Sequence, residues 1–260
     1  MEHIYPAFER GRIMKKELLL ALRDYSYTAL QLQYQSYVSG IISGCRIRTD
    51  DRYLYIAPGI IKCQDFVFLL TGEERMEYAP TEGYESLKFR VVQKEVLPDY
   101  VRYRTELVLD GNLERSGEEV ELCRFQLKEG ARLRSDYKDF YDIQTEYDTV
   151  NLADATWSAA GQNTLSREVT EYFAKKVLEC GRAGEKDRQF AYLLLQGREG
   201  IRFEILADYI AEKTGDRADG SMDMKEAFAK LEGILQEIRK GTDAHGKKGN
   251  APERRMIIWD

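Results

Sequence analysis

The residue types best suited to catalysis or cation binding are concentrated between positions 136 and 148. Paired carboxylates can hold a cation or act as general acid and base. The spacing here matches no cation-binding loop motif, and the interleaved tyrosines suit a half-exposed surface equally well. We predict a solvated face or a subunit contact, with a carboxylate-based hydrolase or a sugar-binding module as an alternative. The residues concerned are Asp136, Tyr137, Asp139, Tyr141, Asp142, Glu146, Tyr147 and Asp148.

Histidine, glycine and cysteine supply no further constellation with chemistry. The two histidines, His3 and His245, lie in terminal segments, which leaves no central histidine as a base or metal ligand. The glycine-bearing stretches 181–186 and 195–200 lack the residue order of a phosphate-binding loop. We therefore predict a non-enzymatic protein with no catalytic residue, no metal ligand and no cofactor. The cysteines form no CxxC and no Cys/His pair, so we expect reduced buried thiols: Cys45, Cys63, Cys123 and Cys180.

The charge of the chain limits its partners. The formal net charge is −6 and the isoelectric point is near 5.3, whereas nucleic-acid binding needs a clustered cationic surface. We therefore predict that nucleic acid is not a partner, and keep a nucleic-acid-binding or helicase-associated factor as a second alternative. That alternative depends on one cationic segment, which holds Arg239, Lys240, Lys247, Lys248, Arg254 and Arg255.

The composition is that of a globular chain made for a reducing compartment. With 43% hydrophobic and 32% charged residues, the 260 residues can form one large domain or two modest ones. No apolar run approaches the ~20 residues of a membrane span, and the first residues lack the apolar core of a signal peptide. We expect a protein without a membrane span that stays in the cytoplasm, as part of an assembled particle.

The elements that must position these residues can be read from apolar periodicity. Residues 12–38 have helical spacing with a break at Asp24–Ser26, and short β-prone runs follow from position 41. Strands are predicted over 84–96, 100–109 and 118–127. In the strand 118–127 the apolar residues change from even-numbered to odd-numbered positions, which predicts a β-bulge near Leu122.

Helical spacing returns after position 165. Ser166 is a predicted N-cap, and glycines mark the predicted helix ends: Gly181, Gly197, Gly215 and Gly241. The prediction is an α+β fold, in which N-terminal helices lead into an antiparallel, β-rich and sandwich-like domain that is followed by a small helical domain. Its boundaries are an N-terminal helical segment (1–40), the β domain (41–150), a linker (151–164), the helical domain (165–241) and a flexible tail with an apolar terminus (242–260).

Two stretches carry a resemblance to a known class of proteins. Residues 37–47 read YVSGIISGCRI and residues 53–61 read YLYIAPGII. They resemble the attachment region of phage tail and baseplate proteins, in which a helix leads into G-I-x-S-G, a strand and a P-G turn. Similar β-rich domains occur in phage receptor-binding proteins and in the baseplate adaptor of type VI secretion systems. Residues 121–134 are similar to the continuation of that sheet in contractile phage tail-like particles.

The resemblance implies a structural component of a contractile injection particle, at the baseplate or the tail attachment. Its partners would be other subunits of the same assembly, in a homo-oligomer or hetero-oligomer. Tyrosine is abundant, with 17 residues, and its amphipathic ring suits subunit interfaces.

Two segments are predicted to contact partners. Helix 28–38 has long side chains with little net charge, which can be desolvated without stranding a charge; the alternative is that its tyrosines only pack on the β domain. The apolar end of the tail is predicted to dock on a neighbour or on its own fold, and the alternative is a frayed terminus. The predicted interface residues are Gln33, Tyr34, Gln35, Tyr37, Ile257, Ile258 and Trp259.

Overall fold

The secondary structure is taken from a computed structural model that describes residues 10, 13, 15–98, 100–145, 147–215 and 222–241. The predicted α+β class is confirmed: N-terminal helices precede a β-rich middle, and further helices follow it. The helices are α1 (Lys16–Arg23), α2 (Ala29–Gln33), α3 (Arg167–Glu179), α4 (Glu185–Gln196), α5 (Phe203–Thr214) and α6 (Met224–Lys240). The strands are β1 (Gly40–Gly44), β2 (Ile47–Thr49), β3 (Tyr53–Ile56), β4 (Gly59–Cys63), β5 (Phe66–Leu70), β6 (Glu74–Glu77), β7 (Glu85–Val96), β8 (Val101–Asp110), β9 (Glu119–Phe125), β10 (Trp157–Ser158) and β11 (Asn163–Thr164).

The N-terminal helical segment is continuous, but its hydrogen-bond pattern changes where a break was predicted. A π-helical turn over Asp24–Thr28 joins α1 to α2, so the helix widens there instead of ending. Such turns recur at functional positions in helices. No residue of α1 or of the π-helical turn is buried. Beyond the turn the chain does reach the sheets, through Leu30 and Tyr34, which pack with Ile42, Ile60 and Val67.

Three glycines allow close backbone contact around β1. The strand begins at Gly40, where φ is 152° and a Cβ would lie 2.8 Å from the carbonyl oxygen of Thr156. It ends at Gly44, where φ is 71° and a Cβ would lie 2.2 Å from the carbonyl oxygen of Pro58. A Cβ at Gly59 would come within 2.5 Å of the facing backbone. The glycines of the G-I-x-S-G and P-G patterns are therefore required by backbone packing.

The strands form three sheets, in the orders β11-β10-β1-β4-β5, β8-β7-β9 and β2-β3-β6. Aromatic rings pack β5 of the first sheet on the second. The ring of Phe68 lies 5.2 Å from that of Phe89, and Phe66 stacks on Tyr103 at 4.5 Å. Two sheets packed face to face correspond to the predicted sandwich-like arrangement.

The predicted β-bulge is confirmed at Leu122. β9 pairs Cys123 with Leu87 and Glu121 with Lys88, so the register passes over Leu122. Because one residue is extra, the side chains of both Leu122 and Cys123 can be buried. The bulge therefore explains the shift of apolar parity in the sequence.

The segment 151–164 belongs to the sheet, although a linker was predicted there. β10 pairs with β1 through Trp157 and Ile41, and this is a parallel pairing in a sheet expected to be antiparallel throughout. β11 then pairs with β10. Each of these strands has two residues, which is too short to show a period of two in the sequence.

The helices after position 165 have the predicted caps. The side chain of Ser166 accepts a hydrogen bond from the amide of Val169 at the start of α3. Gly215 and Gly241 end α5 and α6 in the left-handed conformation, with φ of 77° and 74°. Gly181 and Gly197 likewise stand within two residues of the ends of α3 and α4.

One cluster of buried side chains runs from the sheets into the helices. Phe140, in the loop after β9, stacks on Phe228 of α6 at 4.6 Å and meets Phe173 of α3 at 6.0 Å. Phe190 and Tyr209 stack at 3.8 Å between α4 and α5. The loop that carries Phe140 therefore connects the core of the β part to the helices.

A lysine is fully buried in the middle of β7. Lys88 is 0% exposed, and its Nζ donates to the carbonyl oxygens of Asn112 and Glu114, each at 2.7 Å. Carboxylate oxygens of Asp110 and Glu119 lie 3.4 Å from the same nitrogen. A buried ammonium is costly unless its donors are satisfied. The cluster therefore holds the β8–β9 connection against the sheet.

Replacing Lys88 with methionine is expected to lower the free energy of unfolding by about 1–3 kcal/mol, because two partly buried carbonyl oxygens lose their donor while Arg90 still pairs with both carboxylates. Urea denaturation measures the change. Lys94→Met is the control on the exposed end of the same strand. It loses only an exposed cation–π contact with Tyr103, at 5.4 Å, and should change stability by less than about 1 kcal/mol. Equal stability of Lys88→Met and the unmodified chain would contradict the structural role of Lys88.

Candidate interaction surfaces

The N-terminal helix exposes apolar side chains along its length. Leu19 is 50% exposed and Tyr25 is 58% exposed. A helix with no buried residue gains little from packing, and an isolated helix this short is marginal in water. None of the described helices, α1 included, has the length and apolarity needed to cross a membrane. We call the exposed set the N-terminal helical surface: Leu19, Leu20, Leu22, Tyr25, Tyr27 and Leu32.

Two of the predicted interface residues bind a single carboxylate within the chain. The hydroxyl of Tyr34 donates to Glu199 Oε1 at 3.0 Å, and the hydroxyl of Tyr37 donates to Glu199 Oε2. The two rings meet edge to face with centroids 5.2 Å apart. Lys62 Nζ donates to the carbonyl oxygens of Tyr34 and Gln35, at 2.8 and 3.1 Å. The tyrosine cluster, as we call Tyr34, Tyr37 and Glu199, ties the end of the N-terminal helix to the α4–α5 loop.

The other predicted interface residues have different positions. Gln33 and Gln35 are exposed, whereas Tyr34 is 5% exposed and packs with Ile42 and Val67. The alternative, that the tyrosines only pack on the β domain, does not include the bond of Tyr34 to Glu199. A contact of Gln33 and Gln35 with a partner stays a prediction. Ile257, Ile258 and Trp259 lie outside the described residues, as does most of the cationic segment 239–255.

The environment of the tyrosine cluster favours neutral hydroxyls. Burial, and then the hydrogen bond and negative charge of Glu199, raise the pKa of Tyr34 to about 12. The same causes raise the pKa of Tyr37. Both hydroxyls therefore stay protonated donors near neutral pH, which is what a shared carboxylate acceptor needs.

The carboxylate-rich stretch is used to build a loop. Both carboxylate oxygens of Asp142 accept from the guanidinium of Arg134, at 3.0 and 3.1 Å, and Asp142 also accepts from the amide of Lys138. Burial alone would raise the pKa of Asp142, but these partners hold it below its ordinary value. Tyr137 donates to the carbonyl oxygen of Val150 at 2.7 Å. Across the described part of the chain, no group of three His, Cys, Asp or Glu side chains has metal-site geometry.

The cysteines that fall in the β part are buried thiols, as predicted. Burial, followed by nearby carboxylates, raises the pKa of Cys45 to about 12 and that of Cys63 to about 11. Cys123 is fully buried, and this burial is the main cause that raises its pKa. A thiol with a raised pKa is a weak nucleophile at neutral pH. Cys180 is partly exposed and also free.

Two surface clefts of the described chain contain charges that already have partners. A cleft of about 270 Å³ between β2 and α3 contains Glu171, which pairs with Arg46 at 3.3 Å and with Lys175 at 2.7 Å. Another, of about 360 Å³, contains Asp154, whose carboxylate lies 3.5 Å from both Arg124 and Lys225. Neither places a nucleophile beside a base, so neither has the arrangement of an active site.

A two-stranded arm is a second exposed feature, and sequence reasoning did not identify it as one. β9 pairs with β7 only as far as Arg90, so β7 and β8 continue alone to their last pair, Val96 with Val101. Val96 is 75% exposed and Val101 is 48% exposed. In the sequence, apolar residues of one parity continue along β8, but in β7 that parity shifts at a β-bulge between Val91 and Gln93, so the pattern did not show where the third strand ends.

Removing the shared carboxylate is expected to loosen the N-terminal helix. Glu199→Ala should lower the free energy of unfolding by about 1–3 kcal/mol, because two partly buried hydroxyls lose their acceptor. Combining it with Tyr34→Phe in a double-mutant cycle should show non-additive losses in thermal or urea unfolding. Glu204→Ala is the control, since that side chain is 68% exposed. Additive losses would show that the tyrosine cluster does not act as one unit.

The tyrosine cluster also predicts a loss of stability at high pH. The pKa of Tyr34 is about 12 in the folded chain and 10.0 as the ordinary value. Its contribution is therefore complete below pH 10 and declines as the pH rises from about 10 through 12. Over that interval Tyr34→Phe should lose less stability than the unmodified chain, measured by denaturation at each pH. Tyr192→Phe, at an exposed tyrosine, should follow the unmodified chain.

Comparisons with known proteins give distant likenesses only. No family model matches the chain, and no curated protein matches its sequence. A solved structure described as TssK aligns with a TM-score of 0.38 and 10% identity, over 92% of this chain and 69% of that one. A chain of the type VI secretion system TssK-TssF-TssG baseplate subcomplex aligns with a TM-score of 0.43 and 8% identity, over 93% of this chain and 100% of that one. At these scores neither likeness carries an argument about function.

Proposed function

We propose that this chain is a structural subunit of a contractile, phage tail-like injection particle, at the baseplate or the tail attachment. The observation that carries the proposal is the N-terminal helical surface, in which Leu19 and Leu32 are 50% and 58% exposed. Burying a leucine side chain is worth about 1.5–3 kcal/mol, so a partner that covers several of them gains substantial affinity. A helix face of this kind is a recognised mode of docking into an apolar groove.

The way this helix is attached to the fold supports a role in assembly. α2 leads into β1 at Gly40, and the tyrosine cluster fixes the same junction to the helical part. The N-terminal helical surface is therefore connected both to the sheets and to the helices that follow them. The sequence pattern that resembles attachment regions, G-I-x-S-G followed by a P-G turn, forms this junction.

The use of charged side chains also supports a structural role. Lys88 and Asp142 are held by several partners each, and the carboxylates Glu171 and Asp154 in two surface clefts lie in ion pairs. The partners we propose are other subunits of the same particle, which assembles in the cytoplasm. No enzymatic step is assigned to this chain.

The proposal is tested by particle purification. Contractile particles sedimented from the producing cells should contain the chain in a fixed ratio to sheath and tube proteins. Absence of the chain from particles that contain a complete baseplate would contradict the proposal.

The contact itself is tested by substitution. Leu19→Glu with Leu22→Glu should remove the chain from particles without changing its melting temperature, because both side chains are exposed in the isolated chain. Leu193→Glu is the matched control, an exposed leucine on α4, and should leave incorporation unchanged. Full incorporation of the double variant would show that the N-terminal helical surface is not the contact.

A further inference from the structure

β8 is a long edge strand. It has ten residues and is paired only with β7 in the part of the chain that the structure describes. It contains no proline or lysine, which often discourage pairing at an edge. Its exposed charges, Arg102, Arg104 and Glu106, also discourage pairing unless a partner strand places opposite charges against them. The edge strands β2 and β6 have only three and four residues.

The edges of the other longer outer strands, β5 and β9, are partly covered by the chain itself. The side-chain amide of Gln31 lies against the free edge of β5. In the amide orientation that satisfies both of its groups, its nitrogen donates to the carbonyl oxygen of Asp65 and its oxygen accepts from the amide of Val67, each at 3.2 Å. The outer side of β9 bonds to the returning chain, where the amide of Thr156 donates to the carbonyl oxygen of Glu121 at 2.8 Å. β8 is therefore the exception among the longer strands.

Every second residue of β8 directs its backbone amide and carbonyl groups away from β7. The amide of Val91 donates to the carbonyl oxygen of Glu118, on the β9 side of β7. Thr105 is paired opposite Val91, so it forms a pair without hydrogen bonds across β7 and β8. The amide and carbonyl of Thr105 therefore point away from β7, and by alternation so do those of Tyr103 and Leu107. These groups can accept another strand.

The sequence of β8 is complementary to itself around Thr105. In an antiparallel pairing of two copies centred there, each Arg104 lies opposite Glu106 of the other copy. Tyr103 lies opposite Leu107, Val101 opposite Leu109, and Thr105 opposite itself. Cross-strand pairs of opposite charge, and aromatic pairs with aliphatic residues, are favourable. Moving the centre by one residue would instead place Arg104 or Glu106 against its own copy.

We propose that two copies of this chain pair through β8, antiparallel and across a two-fold axis at Thr105. The result is one continuous six-stranded sheet. Its order is β9-β7-β8 of one copy and then β8-β7-β9 of the other. Arg104 has no ion pair or hydrogen bond within the described residues, whereas Glu106 reaches Arg90 at 3.3 Å and stays 48% exposed. The half-exposed Val101 gains an apolar neighbour. This pairing goes beyond the proposed particle role, because it is a property of the isolated chain.

The test is sedimentation equilibrium of the purified full-length chain over a range of concentrations. The unmodified chain should form a dimer. Arg104→Glu and Glu106→Arg should each raise the dimer dissociation constant by about tenfold or more, because two attractive pairs become repulsive. The double variant R104E/E106R should restore the dimer, since each pair regains opposite charges.

Two further variants test the register. Arg102→Glu makes the same charge change on the same strand but lies directly opposite Val108 in this register. It also loses an ion pair with Glu95, at 3.6 Å, so the dissociation constant should change, but by clearly less than for Arg104→Glu. Thr105→Pro removes the outward amide at the centre without removing a bond to β7, and should abolish the dimer while melting stays cooperative. A chain that is monomeric at every concentration overturns the proposal. Single reversals that leave the dimer intact, or a dimer sensitive to Arg102 and not to Arg104, would also overturn it.

Discussion

The close approach of β1 to the returning chain is the constraint on which the rest of the structure depends. A side chain at Gly40 would meet the carbonyl oxygen of Thr156 at 2.8 Å, and the parallel pairing of Ile41 with Trp157 would be lost. That pairing joins the first strand to a segment more than a hundred residues later. The helices from α3 onward follow directly from it, so their place relative to the sheets is determined at this contact.

Several of the less exposed charged groups in this protein hold loops and chain segments in place. Lys88 binds the connection between β8 and β9, and Asp142 with Arg134 binds the loop that carries Phe140 into the shared core. Glu199 ties two tyrosines of the N-terminal segment to the helical part. Each of these charged groups has its partners within the chain. The distinctive features of the described surface are therefore the N-terminal helical surface and the free edge of β8. Those features suit contacts with other protein surfaces.

The two exposed features differ in how they would bind. The N-terminal helical surface offers side chains and little backbone, so affinity there would come from apolar burial. β8 offers backbone donors and acceptors, with charges that choose the register. The helix and the arm are joined to the same core, since β5 lies between α2 on one face and Tyr103 on the other. One surface can therefore bind a neighbour while the other pairs with a second copy.

The sequence by itself determined the local elements of this protein. The α+β class, the strands from β7 to β9, the bulge at Leu122 and the glycine and serine caps followed from periodicity and capping, which depend on neighbouring residues. Gln33 and Gln35 were also placed correctly on an exposed surface. The tertiary structure decided what depends on distant residues. It buried Tyr34 against Glu199, made 151–164 part of a sheet by pairing two-residue strands, and left β8 as a free edge. The sequence could not predict these outcomes, because the partners of strands and of buried charges lie far away in the chain. A local sequence pattern does not identify such partners.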